Sequence, residues 1–227
     1  MSGGTKFVDS NRNVYEPVNS GGDPGYYNRG KLFGQGRINF INGDLYEGAF
    51  KDGKRCGFGK MQYKSIKKYS TDDDDITDNS MENQDLDWAS YEGHWKNNLR
   101  HGYGVMKWAD DSEFKGEWLQ DHRHHGTMNM VNGSTYTGFW KNDKFHGKGV
   151  LKTFDELVFE GEFINGYCEK YGKVIYPEGE VYTGELDDMQ RQGYGKLEEN
   201  GDVYEGYFEE NKKNGKGKMY VFVVFQI

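Results

Sequence analysis

The chain of 227 residues is 34% hydrophobic, 16% aromatic and 29% charged, with 33 glycines and 3 prolines. Glycine at about twice its usual share in so polar a chain would point to disorder, but 17 tyrosines, 14 phenylalanines and 5 tryptophans bring apolar area that disordered chains lack. The net charge of −8 is concentrated in residues 65–90, which hold seven Asp and one Glu against two Lys; the remainder is near neutral and has no basic block, which excludes a nucleic-acid footprint.

Residues 1–29 read as a flexible N-terminal tail. Met1-Ser2-Gly3-Gly4 opens no secretory signal, and Ser2 stands where N-myristoylation needs glycine. A repeat array follows over residues 30–220, led by a degenerate unit at Gly34-Gln35-Gly36. Its full form starts at Tyr46-Glu47-Gly48-Ala49-Phe50 and returns as pentads beginning at Tyr91, Phe114, Tyr136, Phe159, Tyr182 and Tyr204. From Tyr91 the steps are 23, 22, 23, 23 and 22 residues; the first step, 45, is one period plus an insertion. A second half-motif follows at fixed distance: Gly57 and Gly59, Gly102 and Gly104, Gly147 and Gly149, Gly193 and Gly195, Gly215 and Gly217. Lys170 replaces the first glycine before Gly172, and His124 is read as doing so before Gly126, with one loop residue deleted.

Period-two alternation puts pentad positions one, three and five on one strand face. In the second half, Gly102, Gly104, Met106 and Trp108 are expected on one face and Tyr103, Val105 and Lys107 on the other. Polar stretches such as Lys141-Asn142-Asp143-Lys144 form the turn inside each unit, and Asn132-Gly133, Glu178-Gly179 and Asn200-Gly201 the turn to the next. Each unit is then a β-hairpin. A face bearing Tyr, Gly and Trp leaves an empty slot between rings, which rings of a neighbouring strand are expected to fill. The expected fold class is all-β: an elongated single-layer array of antiparallel β-hairpin repeats with little or no helix, roughly 65 Å long at the usual strand spacing. A lone hairpin is marginal, and stacked neighbours complete one another's core. An acidic disordered insertion over residues 65–90 interrupts the array. Residues 221–227 form an apolar segment, too short to span a bilayer and expected to add a final strand or to be buried by a partner.

The units Tyr91-Glu92-Gly93-His94-Trp95 with His101-Gly102-Tyr103-Gly104, and Tyr136-Thr137-Gly138-Phe139-Trp140 with His146-Gly147-Lys148-Gly149, resemble the MORN (membrane occupation and recognition nexus) repeat. The resemblance covers about residues 30–220 outside the insertion, and the unit at Phe114–Val131 departs from it most. It implies a β-hairpin array. MORN arrays occur in junctional proteins that hold membranes together, in cytoskeletal and ciliary proteins including radial-spoke components, and beside the catalytic domains of lipid kinases and a protein methyltransferase.

The candidate chemistry is sparse. His122-Arg123-His124-His125 has no partner ligands at metal spacing and reads as a polar turn. Asp72-Asp73-Asp74-Asp75 lacks the ligand spacing of a calcium loop, and the Gly-x-Gly steps lack the context of a phosphate loop. Cys56 and Cys168 are read as buried small residues or free thiols in a reducing compartment. No catalytic, metal or cofactor site is expected, and the chain is read as a non-enzyme. The rings Tyr46, Tyr91, Trp95, Trp118, Tyr136, Trp140, Tyr182 and Tyr204 are read as packing residues. Phe58, Tyr103, His125, Phe139, Tyr171, Tyr194 and Tyr207, on the opposite face among charged neighbours, are the candidate protein-binding residues. The expected partners are other proteins, cytoskeletal or ciliary, with a homodimer through an open strand edge as a further option. The alternatives are a peripheral module on acidic phospholipids and an accessory subunit of an enzyme acting in trans. The expected location is the cytoplasm, at the cytoskeleton or a ciliary axoneme, or peripherally at a membrane.

Overall fold

The computed structural model describes residues 6–18, 24–64 and 88–222, and every regular element among them is a β-strand. The chain divides into two compact units, Met1–Asp121 and His122–Ile227. The first holds β1 (Phe7–Val8), β2 (Val14–Pro17), β3 (Tyr26–Asn28), β4 (Lys31–Asn39), β5 (Leu45–Lys51), β6 (Lys54–Gln62), β7 (Trp88–Lys96), β8 (Leu99–Trp108) and β9 (Glu113–Leu119). From β4 to β9 each strand pairs antiparallel with the next. The second holds β10 (His122–Asn129), β11 (Thr135–Lys141), β12 (Lys144–Lys152), β13 (Val158–Ile164), β14 (Tyr167–Ile175), β15 (Val181–Asp187), β16 (Gln190–Glu199), β17 (Asp202–Glu209) and β18 (Lys212–Tyr220), again each antiparallel to the next.

The span expected to be a flexible tail, residues 1–29, instead carries three strands. The leading repeat lacks a complete pentad, and two segments share its place along β4. β2 pairs Val14–Pro17 with Gly36–Asn39, β3 pairs Tyr26–Asn28 with Lys31–Phe33, and β1 pairs with β2. The rings of Phe7, Tyr15 and Tyr27 tie these segments together, at 5.9 and 6.3 Å from Phe7. The expected insertion lies outside the described residues except for 88–90, which belong to β7. The ladder carries on across it. Gly59 meets Gly93 and Met61 meets Tyr91, the same register as Gly104 with Gly116 and Met106 with Phe114 at the next junction. Val221 and Phe222 follow β18 exposed and outside any strand; residues 223–227 lie outside the described residues.

Pentad positions one, three and five turn to one face of each sheet, here the ring face. Tyr46, Tyr91, Tyr136 and Tyr182 are fully buried there, and Trp95, Trp118 and Trp140 nearly so; Tyr204, in the last hairpin, is half-buried. Each buried tyrosine covers two glycines that face one another across the hairpin. A Cβ on Gly93 or on Gly104 would collide with the ring of Tyr91, and one on Gly48 or Gly59 with that of Tyr46. The slot is therefore filled by the pentad's own tyrosine, not by a ring from the next unit. The neighbouring rings instead meet that tyrosine edge-on: Trp95 and Trp118 stand 5.1 and 5.5 Å from Tyr91, at 89° and 86°. Such pairs contribute about 0.5–1.5 kcal/mol each beyond burial. In the unit at Phe159, which has no hydroxyl, the Cys168 thiol sits against Gly161 and Gly172, and burial pushes that thiol up to about 11.

The tyrosine hydroxyl has a defined task. It donates to the carbonyl of pentad position four, from Tyr91 to His94 at 2.9 Å, Tyr136 to Phe139 at 3.0 Å and Tyr182 to Glu185 at 2.7 Å. At this point the second strand carries two more residues than the first, because the first glycine of each Gly-x-Gly sits in a β-bulge. Gly102 has φ +71° and Lys170, in the same role, +65°. Alternation alone would have put both glycines of the pair on the ring face. The bulge overturns that: the hydrogen that replaces Cβ on Gly102 points to the open face, towards His94, and only Gly104 lies under the ring. The odd unit at Phe114 now has a cause. Its turn is intact at Gln120 and Asp121, both with positive φ, whereas neither His124 nor His125 has one. The deleted residue is the bulge, not a loop residue, and the ring there is a phenylalanine. The turn inside each unit has positive φ at both central residues, as at Asn97–Asn98 and Asn142–Asp143, the twist that suits two-residue hairpins.

Successive hairpins are joined by a second device. The residue that opens the inner edge of each second strand reaches the turn of the following hairpin. Arg100 Nε donates to Asp121 Oδ1 at 3.0 Å, its Nη2 to the Asp121 carbonyl at 3.0 Å, and its guanidinium lies 4.3 Å from the Trp118 ring. Arg55 binds the Asn98 carbonyl over Trp95, and Arg123 binds Asp143 over Trp140. Arg191 takes Asn211 Oδ1 on its amide and lies over Phe208. Where this residue is not arginine, the turn partner carries no carboxylate or carboxamide: Gly53 donates its amide to Leu32, Gly166 to Phe145 and Met189 to Cys168. Arginine thus occurs with Asn or Asp, and an apolar residue with Gly or Met, in all seven junctions.

Three measurements check this account. Gly104→Ala is expected to lose about 1–3 kcal/mol by overpacking, read from the urea midpoint. Arg100→Ala, which removes a buried guanidinium from its bonds to the partly exposed Asp121, is expected to lose about 1–3 kcal/mol; Arg100→Phe with Asp121→Gly, which copies the Phe145–Gly166 junction, is expected to recover most of it, and a double variant no better than the single defeats the latch. Burial raises the phenol of Tyr136 to about 12 and those of Tyr46, Tyr91 and Tyr182 further. Because the folded values exceed the unfolded one near 10, this contribution is complete below about pH 10 and lost as pH rises through the folded values. Urea midpoints are therefore expected to fall steeply between about pH 10 and 12, and a flat profile there contradicts it.

Candidate binding face

The even pentad positions and the middle residue of Gly-x-Gly point to the other side, the open face. Ladder register brings them together in cross-strand pairs at the same height in every hairpin. In the first unit Gln35 meets Ala49, Phe58 meets His94 and Tyr103 meets Glu117. In the second, His125 meets Phe139, Lys148 meets Glu162, Tyr171 meets Glu185 and Tyr194 meets Tyr207. All seven residues singled out in the sequence lie on this face and are exposed, from 43% for Phe139 to 63% for Tyr171 among the large apolar ones.

The pairs differ in kind. Phe58 and His94 meet edge-on at 5.7 Å, Tyr194 and Tyr207 at 5.5 Å, and His125 lies tilted 4.7 Å from Phe139 with His124 at 6.0 Å. The histidine cluster is thereby drawn to a ring, while Arg123 leaves it for Asp143. Among the described residues no three His, Cys, Asp or Glu side chains converge on a metal site. Tyr103 and Tyr171 face carboxylates. Around the row, charges pair across strands: Arg37 with Glu47 at 2.7 Å, Lys60 with Glu92 at 3.7 Å and Lys107 with Glu113 at 3.5 Å. A hydrogen bond from Lys115 holds the Glu113 carboxyl below the usual range. A shallow depression lies on the first unit between Gln35, Glu47, Phe58 and Lys60. His94, Glu117, Glu162 and Glu185 were missed as members of this row, though the fourth pentad position was legible and only the facing register was not.

No curated protein matches the chain. Among solved structures it is similar to the TCP domain of SAS-4 (dCPAP) of Drosophila melanogaster, solved in complex with a proline-rich motif of Ana2 (dSTIL). The identity is 10% and the TM-score 0.38, over 80% of this chain and 89% of that one. The MORN repeat model matches residues 46–65, 91–113, 136–155, 159–181 and 204–220. These segments carry the pentads on β5, β7, β11, β13 and β17. The chain therefore belongs to the MORN-repeat family, whose repeats are binding modules and not catalytic domains.

Proposed function

We propose that this chain is a non-catalytic scaffold that binds other proteins through the open face, with Phe58, Tyr103, His125, Phe139, Tyr171, Tyr194 and Tyr207 as anchors, in a cytoskeletal or ciliary assembly such as one resembling a radial spoke. The observation that carries the reading is the row itself: exposed rings recur at one ladder height, within reach of fixed carboxylates and lysines. Large rings anchor protein interfaces, with polar neighbours around them. The setting rests on the occurrence of MORN arrays in such assemblies. The phospholipid reading is less favoured because many lysines of this face sit beside carboxylates, as in Lys60–Glu92 and Lys170–Glu162, which cancels the charge that would draw an anionic membrane.

The test is proximity labelling from the full chain, followed by photo-crosslinking from positions 171 and 194. The expected result is one set of protein neighbours, with affinity for the crosslinked protein falling at least about tenfold in Tyr171→Ala with Tyr194→Ala. Unchanged affinity removes the open face as the binding surface, and sedimentation with phosphoinositide vesicles at low salt favours the membrane reading.

A further inference from the structure

In the second unit β12, β14 and β16 are each paired on both sides. The exception is β18, which among the described residues pairs with β17 alone and presents its other edge unpaired. Inside the array, that outer edge always receives the next pentad in one register. The first Gly faces the fifth pentad residue, the second Gly faces the pentad Gly, and the aliphatic residue two places on faces the first ring, as in Gly147–Phe163, Gly149–Gly161 and Leu151–Phe159. β18 keeps the sequence for this register in Gly215, Lys216, Gly217, Lys218 and Met219. What the pairing normally does is visible in the aliphatic residue. Met61, Met106, Leu151, Val174 and Leu197 are 0–7% exposed, whereas Met219 is 51% exposed.

We propose that the outer edge of β18 takes an added strand from a partner protein, and that this strand is acidic, of the form aromatic-Glu-Gly-Glu-aromatic. The charge follows from the chain's own junctions. Basic residues at the two open-face positions of this register face glutamate in four cases of five: Arg37 faces Glu47, Lys60 faces Glu92, Lys148 faces Glu162 and Lys196 faces Glu205, while Lys173 faces Thr183. In β18 both positions are lysine, so both places opposite call for a carboxylate. The first ring of the added strand would cover Met219, and the strand backbone would satisfy the free edge, the mode known as β-augmentation. A second copy of β18 is the wrong occupant, because Lys212, Lys213, Lys216 and Lys218 would meet their like, and edge lysines oppose such self-pairing. The edge is a different surface from the open-face row, so either proposal stands if the other fails.

The probe is a peptide of this chain's own residues 157–165, which carries Phe159-Glu160-Gly161-Glu162-Phe163, titrated into the 15N-labelled full chain. Amide shifts are expected at Gly215, Gly217 and Met219, and a peptide with both glutamates changed to lysine is expected to bind at least about tenfold more weakly. Lys216→Glu with Lys218→Glu, on an exposed edge, is expected to invert the preference between the two peptides while circular dichroism stays unchanged. Equal affinity for both peptides overturns the proposal, as do shifts confined to the open face. Concentration-dependent shifts of β18 without peptide overturn it in favour of a second copy.

Discussion

A tyrosine ring pressed over two facing glycines is the contact on which each hairpin depends. The ring needs both glycines bare, since a methyl on either collides with it. Its hydroxyl needs an acceptor, and the bulge supplies one by releasing the carbonyl of pentad position four from the ladder. The bulge in turn needs a residue at positive φ, which is the first glycine of the pair. In the units that open with tyrosine, three glycines and the ring are thus parts of one arrangement. Where the bulge is deleted, at His124 and His125, the hydroxyl is absent as well, and Phe114 packs against Trp118 at 5.2 Å as an ordinary ring. The unit at Phe159 has no hydroxyl either but keeps its bulge at Lys170, so the bulge does not require the tyrosine.

Between hairpins, a flat cation or an apolar side chain serves the same position by different physics. Arg100 is only 5% exposed, and a buried guanidinium is tolerable only when its hydrogen bonds are met. Asp121 accepts from Nε with its side chain and from Nη2 with its carbonyl. Phe145 needs no such partner; it stacks on Tyr136 at 3.9 Å, and the turn beyond it is glycine. The array therefore transmits a choice from one repeat to the next, nearest neighbour to nearest neighbour, in the manner of other repeat proteins.

Much of this was legible in the sequence. Period-two alternation placed the tyrosines and tryptophans on one face and Phe58, Tyr103, Phe139, Tyr171, Tyr194 and Tyr207 on the other, because side-chain direction in a strand follows from parity alone. Parity fails inside a bulge, where two extra residues are taken up, and so Gly102 and its equivalents were assigned to the wrong face. Their recurrence fixed that glycine was required but not why. The arginine latch left a readable trace, with Arg55, Arg100 and Arg191 each two residues before a glycine, but Leu32, Phe145 and Cys168 in the same place concealed it. β1 to β3 were missed because their strands are short and belong to no full pentad; Tyr15 and the Tyr26–Tyr27 pair were the aromatic signal.

Since the ring face carries the packing, the open face is left free of it. Its row varies accordingly, from Ala49 and Gln35 to Glu162 and Lys148. Cross-strand ring pairs on an exposed face contribute about 0.2–1 kcal/mol, which accounts for a stabilising gain at Tyr194 and Tyr207 or at Phe58 and His94. Tyr103 and Tyr171 have no such pair. Each faces a glutamate and is more than half exposed, so each keeps a large apolar surface in water with no ring across the ladder to share it. The hydrophobic free energy available at those two rings is realised only when another molecule covers them, and on our reading they mark where a partner's contact with the open face is strongest.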